Sequence, residues 1–192
     1  GIQFFITTGN HDPAGPFLQE SGKDDFLGEY GKEQPIYSKF PEKVISKNSH
    51  PVIISKDLAK QGYKEIMETM RSFGFFPKKE DIFWATPFSS YSVENYNFEM
   101  AQSEAILQKR NYETAPGYFV PDASYVVEPV SGVWLLAIDG NSYPLQENAS
   151  ENTKESPNFK GADLGYKNLN LKKHLLPWIK KIVEEAKRRN KT

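Results

Sequence analysis

The stretch that decides the fold is residues 123–139, with the sequence ASYVVEPVSGVWLLAID. Two apolar runs, residues 123–128 and 133–139, flank the turn sequence Pro129-Val130-Ser131-Gly132. Apolar runs rich in valine, isoleucine and aromatic residues on either side of a glycine-containing turn predict a β-hairpin. The second run is continuously apolar, which is typical of a strand at the centre of a sheet.

Helical patterns lie on both sides of this hairpin. The apolar spacing over residues 56–73, with Ser55 as N-cap and Gly74 as a stop, predicts a helix. A weaker pattern predicts a second helix over residues 97–110. A last helix is expected to begin near Lys172, and its apolar stripe consists of Leu175, Ile179, Ile182, Val183 and Ala186.

The order of these elements, preceded by a predicted strand over residues 2–8, indicates an α/β fold in a single domain over residues 1–192. The chain has 192 residues, 38% of them hydrophobic, which is enough for a sizeable core. Its 24 basic and 25 acidic residues give a net charge of -1. No strongly basic surface therefore points to a nucleic acid partner.

Other classes of protein are excluded by what the sequence lacks. The absence of cysteine excludes disulfides and thiolate metal sites. No apolar stretch approaches the roughly 20 residues that span a membrane. The first residues, Gly1-Ile2, do not begin a signal peptide. The sequence leaves the compartment open between the cytoplasm and the cell envelope.

The tetrapeptide Gly9-Asn10-His11-Asp12 follows directly after the predicted first strand. In open α/β sheets, ligands and active sites are found beyond the carboxyl ends of the strands. A glycine turn at this position would leave an amide oxygen, an imidazole and a carboxylate beyond the edge of the sheet. The tetrapeptide is therefore the first candidate for a functional site.

This tetrapeptide resembles the Gly-Asn-His-(Asp/Glu) motif of the calcineurin-like metallophosphoesterases, which hydrolyse phosphate esters with two metal ions. The resemblance implies part of the four-layer sandwich of that family, with a helical and aromatic insertion over the mouth of the active site. It implies that Asn10 is a metal ligand, that His11 acts as general acid at the leaving oxygen, and that Asp12 orients His11. An imidazole suits this role because it titrates near neutral pH. The residues that bind substrate remain unassigned.

The other motifs of that family are not recognised in this sequence. They are Asp-x-His and Gly-Asp-x-x-Asp before the tetrapeptide, then a further histidine and Gly-His-x-His after it. We therefore expect a fragment of the catalytic domain, incomplete at both ends. The isolated chain is expected to be inactive and without its metal pair, because one asparagine cannot hold two ions. Unpaired strand edges are expected to favour self-association.

The parent protein is expected, from the resemblance, to act on small-molecule phosphomonoesters or phosphodiesters. A phosphodiester such as a cyclic nucleotide is preferred on the same ground. Two divalent ions of manganese, iron or zinc would supply a bound hydroxide as the nucleophile and neutralise charge on the phosphoryl oxygens.

Plainer interpretations stay open at several positions. The tetrapeptide could be a turn with an Asx cap, and the protein would then be a non-catalytic module that recognises a carbohydrate or peptide through its aromatic segment 75–98. The same aromatic residues could instead belong to the core or to a lid. His50 is interpreted as a loop histidine and His174 as an exposed residue entering the last helix. Asp139 lies either near the site or in a plain turn.

Overall fold

The structure is a computed structural model. It describes residues 3–9, 13, 15–22, 36–37, 53–146, 159, 161–162 and 169–192.

Short strands and helices are both present in the described residues. The strands are β1 (Gln19–Gly22), β2 (Ile36–Tyr37), β3 (Ile53–Ile54), β4 (Ala59–Lys60), β5 (Phe83–Ala85), β6 (Asn111–Ala115), β7 (Tyr118–Pro121), β8 (Tyr125–Val130) and β9 (Val133–Ala137). The α-helices are α1 (Tyr63–Thr69), α2 (Phe98–Glu104) and α3 (Leu175–Arg188), and 3₁₀ turns occupy Lys56–Leu58, Arg71–Phe73, Leu107–Arg110 and Leu169–Lys172. This mixture is consistent with the predicted α/β class.

The pairing of the strands is mainly antiparallel. The largest sheet has the order β5-β8-β9, and β1 with β4 and β6 with β7 form antiparallel pairs, whereas β2 and β3 are parallel. Among the described residues, no helix is long and apolar enough to cross a membrane.

The predicted hairpin is confirmed, but its central strand is the first one. Strand β8 lies between β5 and β9, and Tyr125, Val126 and Val127 are fully buried. Leu135 of β9 is 37% exposed, so the prediction that the second strand is central is wrong. A continuous apolar run shows that a strand is hydrophobic, but the partner strands decide which faces are covered. The last residue, Thr192, bonds through its backbone to both Gly132 and Trp134 and so covers part of the β9 edge.

The predicted helix over residues 56–73 is interrupted near its start. Only α1 and the turn Arg71–Phe73 are helical beyond the first 3₁₀ turn, because residues 59–60 pair with β1 instead. Gly62 precedes α1 and lies against Phe17, where a Cβ would come within 2.6 Å of the backbone. The predicted stop is confirmed, since Gly74 has a φ of 109°, a conformation that glycine adopts without strain.

The second and third helices are close to their predicted places. The Asn97 side chain caps α2 by accepting a hydrogen bond from the Met100 amide at 2.8 Å, and the helical region continues, after a break, as the turn Leu107–Arg110. Helix α3 begins at Leu175, and its buried face consists of Leu175, Trp178 and Ile182. Val183 was predicted to lie on this face but is 40% exposed.

Residues 3–9 form an extended segment that is not part of a sheet. The Ile6 amide donates to the Phe73 carbonyl at 3.0 Å, and the Ile6 carbonyl accepts from the Tyr125 hydroxyl at 2.7 Å. The predicted strand over residues 2–8 is therefore wrong for its described part. Its backbone groups bond to the end of a 3₁₀ turn and to a side chain instead of to a neighbouring strand.

The aromatic segment 75–98 contributes largely to the core. Five of its rings are buried, those of Phe75, Phe76, Phe83, Trp84 and Tyr91. They pack with β8 and with the buried face of α3 in one hydrophobic cluster. This arrangement favours the core interpretation of the segment over a sugar-stacking surface, because a ring must be accessible to stack on a ligand.

Replacing Gly74 by alanine should destabilise the protein by about 3 kcal/mol, because positive φ strain adds to a steric clash. The new Cβ would collide with the Tyr125 hydroxyl. Gly117 is the matched control, since it also has a positive φ of 81° but nothing lies within 4 Å of a Cβ there. Gly117→Ala should lose only about 1 kcal/mol. Urea unfolding of both variants measures the difference, and equal losses would contradict the packing described for Gly74.

Candidate functional site

The tetrapeptide Gly9-Asn10-His11-Asp12 is described only at its borders. Asn10, His11 and Asp12 lie outside the described residues. On one side of them, the Gly9 carbonyl accepts a hydrogen bond from the Asn141 side-chain amide at 2.8 Å. On the other side, the Pro13 carbonyl accepts one from the Tyr143 hydroxyl at 2.8 Å.

Both hydrogen bonds come from one segment, residues 139–143, which we call the anchor segment. It follows β9 directly. The Thr7 hydroxyl donates to the Ile138 carbonyl at 3.2 Å, and Gly9 meets Asn141, so the two pieces of chain run side by side in the same direction. The carboxyl end of the hairpin therefore lies next to Gly9, at the border of the tetrapeptide.

Asp139 holds the anchor segment in place. Its Oδ1 accepts hydrogen bonds from the Tyr63 hydroxyl at 3.0 Å and from the Asn141 backbone amide at 3.1 Å. Its Oδ2 accepts from Lys172 Nζ at 2.7 Å, and Lys172 also donates to the Asp139 carbonyl at 2.8 Å. The Asp139 amide donates to the Ser124 hydroxyl at 3.0 Å. Nearly all hydrogen-bonding capacity of this buried carboxylate is used, as burial of a charge requires.

A second carboxylate shares the same lysine. Asp122 Oδ2 lies 3.4 Å from Lys172 Nζ and 2.9 Å from His174 Nε2, and its Oδ1 accepts from the Ser124 amide at 2.7 Å. The side chains of Lys172, Asp122 and Asp139 are 1%, 0% and 0% exposed. His174 is 20% exposed. These groups form one buried network that joins the end of β7, the end of β9 and the approach to α3.

The electrostatics of this network follow from its geometry. Burial by itself raises the pKa of Asp122, but the Lys172 ammonium and hydrogen bonds from His174 and Ser124 outweigh burial and hold that pKa well below its usual range. Burial lowers the pKa of Lys172, whereas the carboxylates of Asp139 and Asp122 raise it above its usual value, and the second effect is larger. The Asp122 carboxylate and the Lys172 ammonium are therefore stabilised in their charged forms at neutral pH.

Arg110 is a buried cation of a different kind. It is fully buried, and none of its guanidinium nitrogens has a hydrogen-bond partner in the described part of the chain. The guanidinium lies 4.9 Å from the Phe76 ring centroid and 5.8 Å from that of Trp84. Burial lowers the pKa of Arg110 to about 9. Its ring contacts are those of a cation–π interaction in the core.

A cavity of about 330 Å³ lies beside the network, between residues 83–94, which include β5, and helix α3 with the preceding His174. His174 lines it and connects it to Asp122. The prediction that His174 is an exposed residue is therefore wrong. Its ring is held by Asp122 and packs against Phe88 at 4.7 Å and Tyr112 at 5.5 Å between centroids.

Asp139 and His50 are the remaining candidates from the sequence. Asp139 is linked to Gly9, at the border of the tetrapeptide, through Asn141. It is a buried ion-pair partner and also a turn residue, because its Oδ1 accepts from the Asn141 amide in an Asx turn. His50 lies outside the described residues.

Sequence reasoning did not identify Lys172, Asp122, Asn141 or Tyr143. Lys172 stands beside a second lysine, Lys173, and a pair of adjacent lysines is typical of an exposed position. Asn141 stands two residues after Asp139, just beyond a hydrophobic strand. Sites are found beyond the carboxyl ends of strands, so this position is a signal that could have identified Asn141.

No metal centre is visible in the described residues, where no group of three or more His, Asp or Glu side chains is placed to hold an ion. No family model, curated protein or solved structure matches the chain. A functional assignment must therefore be argued from the tetrapeptide and from the residues that hold its borders.

Replacing Lys172 by methionine should destabilise the protein by about 3–5 kcal/mol, because it leaves two buried carboxylates without their cation. Lys180→Met is the control, since it removes only an exposed pair with Glu184 and should lose less than about 1 kcal/mol. Chemical denaturation at pH 7 measures both.

The native chain and Lys172→Met also give a pH test. The lowered pKa of Asp122 means that below about pH 4 the unfolded chain binds a proton that the folded chain does not. The stabilising contribution of the ionised Asp122 carboxylate is present above that pH and is lost as the pH falls. The stability difference between the native chain and Lys172→Met should therefore narrow below about pH 4. A difference that is small at pH 7 or constant with pH would contradict the described network.

Proposed function

We propose that this chain is part of the catalytic domain of a calcineurin-like metallophosphoesterase. The observation that carries the proposal is the tetrapeptide Gly9-Asn10-His11-Asp12, whose two borders are each fixed by a side-chain hydrogen bond from the anchor segment. A catalytic loop needs such support, because small displacements of reacting groups slow a reaction severely. The four-layer sandwich of that family is the proposed setting for the mixed fold.

The proposed reaction is hydrolysis of a small phosphomonoester or phosphodiester, with a phosphodiester such as a cyclic nucleotide preferred. His11 would donate a proton to the leaving oxygen, which suits an imidazole near neutral pH. Asp12 would accept a hydrogen bond from the His11 ring and fix its tautomer and orientation. Both roles require that the His11 side chain faces the bound substrate and that Asp12 lies beside the His11 ring.

The residues of this chain do not by themselves fit a pair of metal ions. Asn10 is the one ligand that the proposal assigns here, and a divalent ion takes about four or more ligands. The proposal therefore assigns the ions, manganese, iron or zinc, to a longer polypeptide in which this chain supplies one ligand and the proton donor. The isolated chain is proposed to be inactive.

The rival proposal, a module that binds a carbohydrate or peptide through residues 75–98, has less support. The large rings of that segment are mostly buried, and stacking on a sugar needs an accessible ring face. Phe88 and Tyr96 are half-buried and offer a smaller surface. Binding that persists after chelation and in His11→Ala would favour this rival.

In the longer polypeptide, His11→Ala should slow hydrolysis of a cyclic nucleotide, whose alkoxide leaving group needs a proton, roughly 10²–10⁴-fold, as expected for loss of a general acid. The bound metal content, measured by elemental analysis, should stay the same. His50→Ala is the control and should leave turnover unchanged. Equal turnover of the native and His11→Ala proteins would refute the role proposed for His11.

A further inference from the structure

The cavity beside His174 has the dimensions and lining of a small-molecule site. Its volume of about 330 Å³ falls within the range of roughly 300–1,000 Å³ that is usual for ligand pockets. The residues 83–94 form one wall and α3 forms the other. The apolar part of the lining consists of Phe83, Val93, Pro177, Trp178 and Ile182.

The acidic groups at this cavity are already compensated. Glu94 and Glu185 both line it. Glu185 accepts hydrogen bonds from Arg188 and Arg189, and Glu94 accepts from the same two arginines, at 3.0 Å in the case of Arg188. These two carboxylates therefore have little attraction left for a ligand cation.

One cation at the cavity, Lys181, is not compensated by an acid among the described residues. Lys181 lines it and has no ion-pair partner among the described residues. His174 is held through Nε2 by Asp122, and its Nδ1 has no hydrogen-bond partner in the described part of the chain.

We propose that this cavity binds a small organic anion, with its carboxylate at Lys181 and its apolar body against Trp178 and Pro177. The proposal is independent of the phosphoesterase assignment, because it rests on a different set of residues. An anion is favoured over a cation since the acids are paired and Lys181 is not. An apolar body is favoured because the same cavity is lined by aromatic and proline rings, among them Trp178 and Pro177.

Three probes of equal size and different charge test this proposal on the chain itself: benzoate, the neutral benzamide and the cation benzylamine. Binding is followed by the indole N–H signal of Trp178 in ¹H–¹⁵N spectra, assigned with Trp178→Phe. Benzoate should bind at least about tenfold more tightly than benzamide, as one charge-assisted contact supplies. Nuclear Overhauser effects between the benzoate ring protons and the Trp178 indole should place the ligand in the cavity.

A matched pair of variants on the same helix separates a local contact from a change in net charge. Lys181→Gln should weaken benzoate about tenfold and leave benzamide unchanged. Lys180→Gln removes the same charge outside the cavity and should leave benzoate binding unchanged. The proposal is overturned if benzoate does not bind saturably, if benzamide or benzylamine binds as tightly, or if both lysine variants weaken benzoate equally.

Discussion

The ion pair between Lys172 and Asp139 is the interaction on which the candidate site depends. The two side chains are 33 residues apart in sequence and meet at 2.7 Å with almost no solvent exposure. A buried charge without a partner is severely destabilising. The Lys172 and Asp139 side chains therefore hold each other in position. The approach to α3 is thereby tied to the end of β9, and Tyr63 of α1 is bound to the same carboxylate.

Two parts of the molecule are positioned by this pair. On one side, Asp139 orients Asn141, which holds the Gly9 carbonyl at the border of the tetrapeptide. On the other side, Lys172 shares Asp122 with His174, which lines the cavity. The proposed proton donor and the proposed anion site are thus supported by one buried network, although each could fail as a proposal without the other.

The parts of the fold that follow from local signals could be predicted, and those that depend on distant partners could not. The β8–β9 hairpin, the Gly74 stop and the Asn97 cap are set by neighbouring residues, which the sequence displays directly. Which strand is central depends on β5, some 40 residues earlier in the chain, and the hydrophobic pattern does not encode that. Nothing next to Lys172 and His174 in sequence indicates that they are ion-pair partners, because Asp122 and Asp139 lie 33 or more residues earlier in the chain. The tetrapeptide was recognisable, whereas the anchor segment that holds its borders required the structure.

The most direct test of this account is the turnover number of Asn141→Asp in the longer polypeptide, because that change puts a carboxylate oxygen where an N–H holds Gly9. The account predicts that kcat falls about tenfold or more through misplacement of the catalytic loop, while KM changes little. Asn95→Asp, at an exposed position, should behave as the native protein. A folded Asn141→Asp protein with unchanged kcat would show that the anchor segment does not position the tetrapeptide.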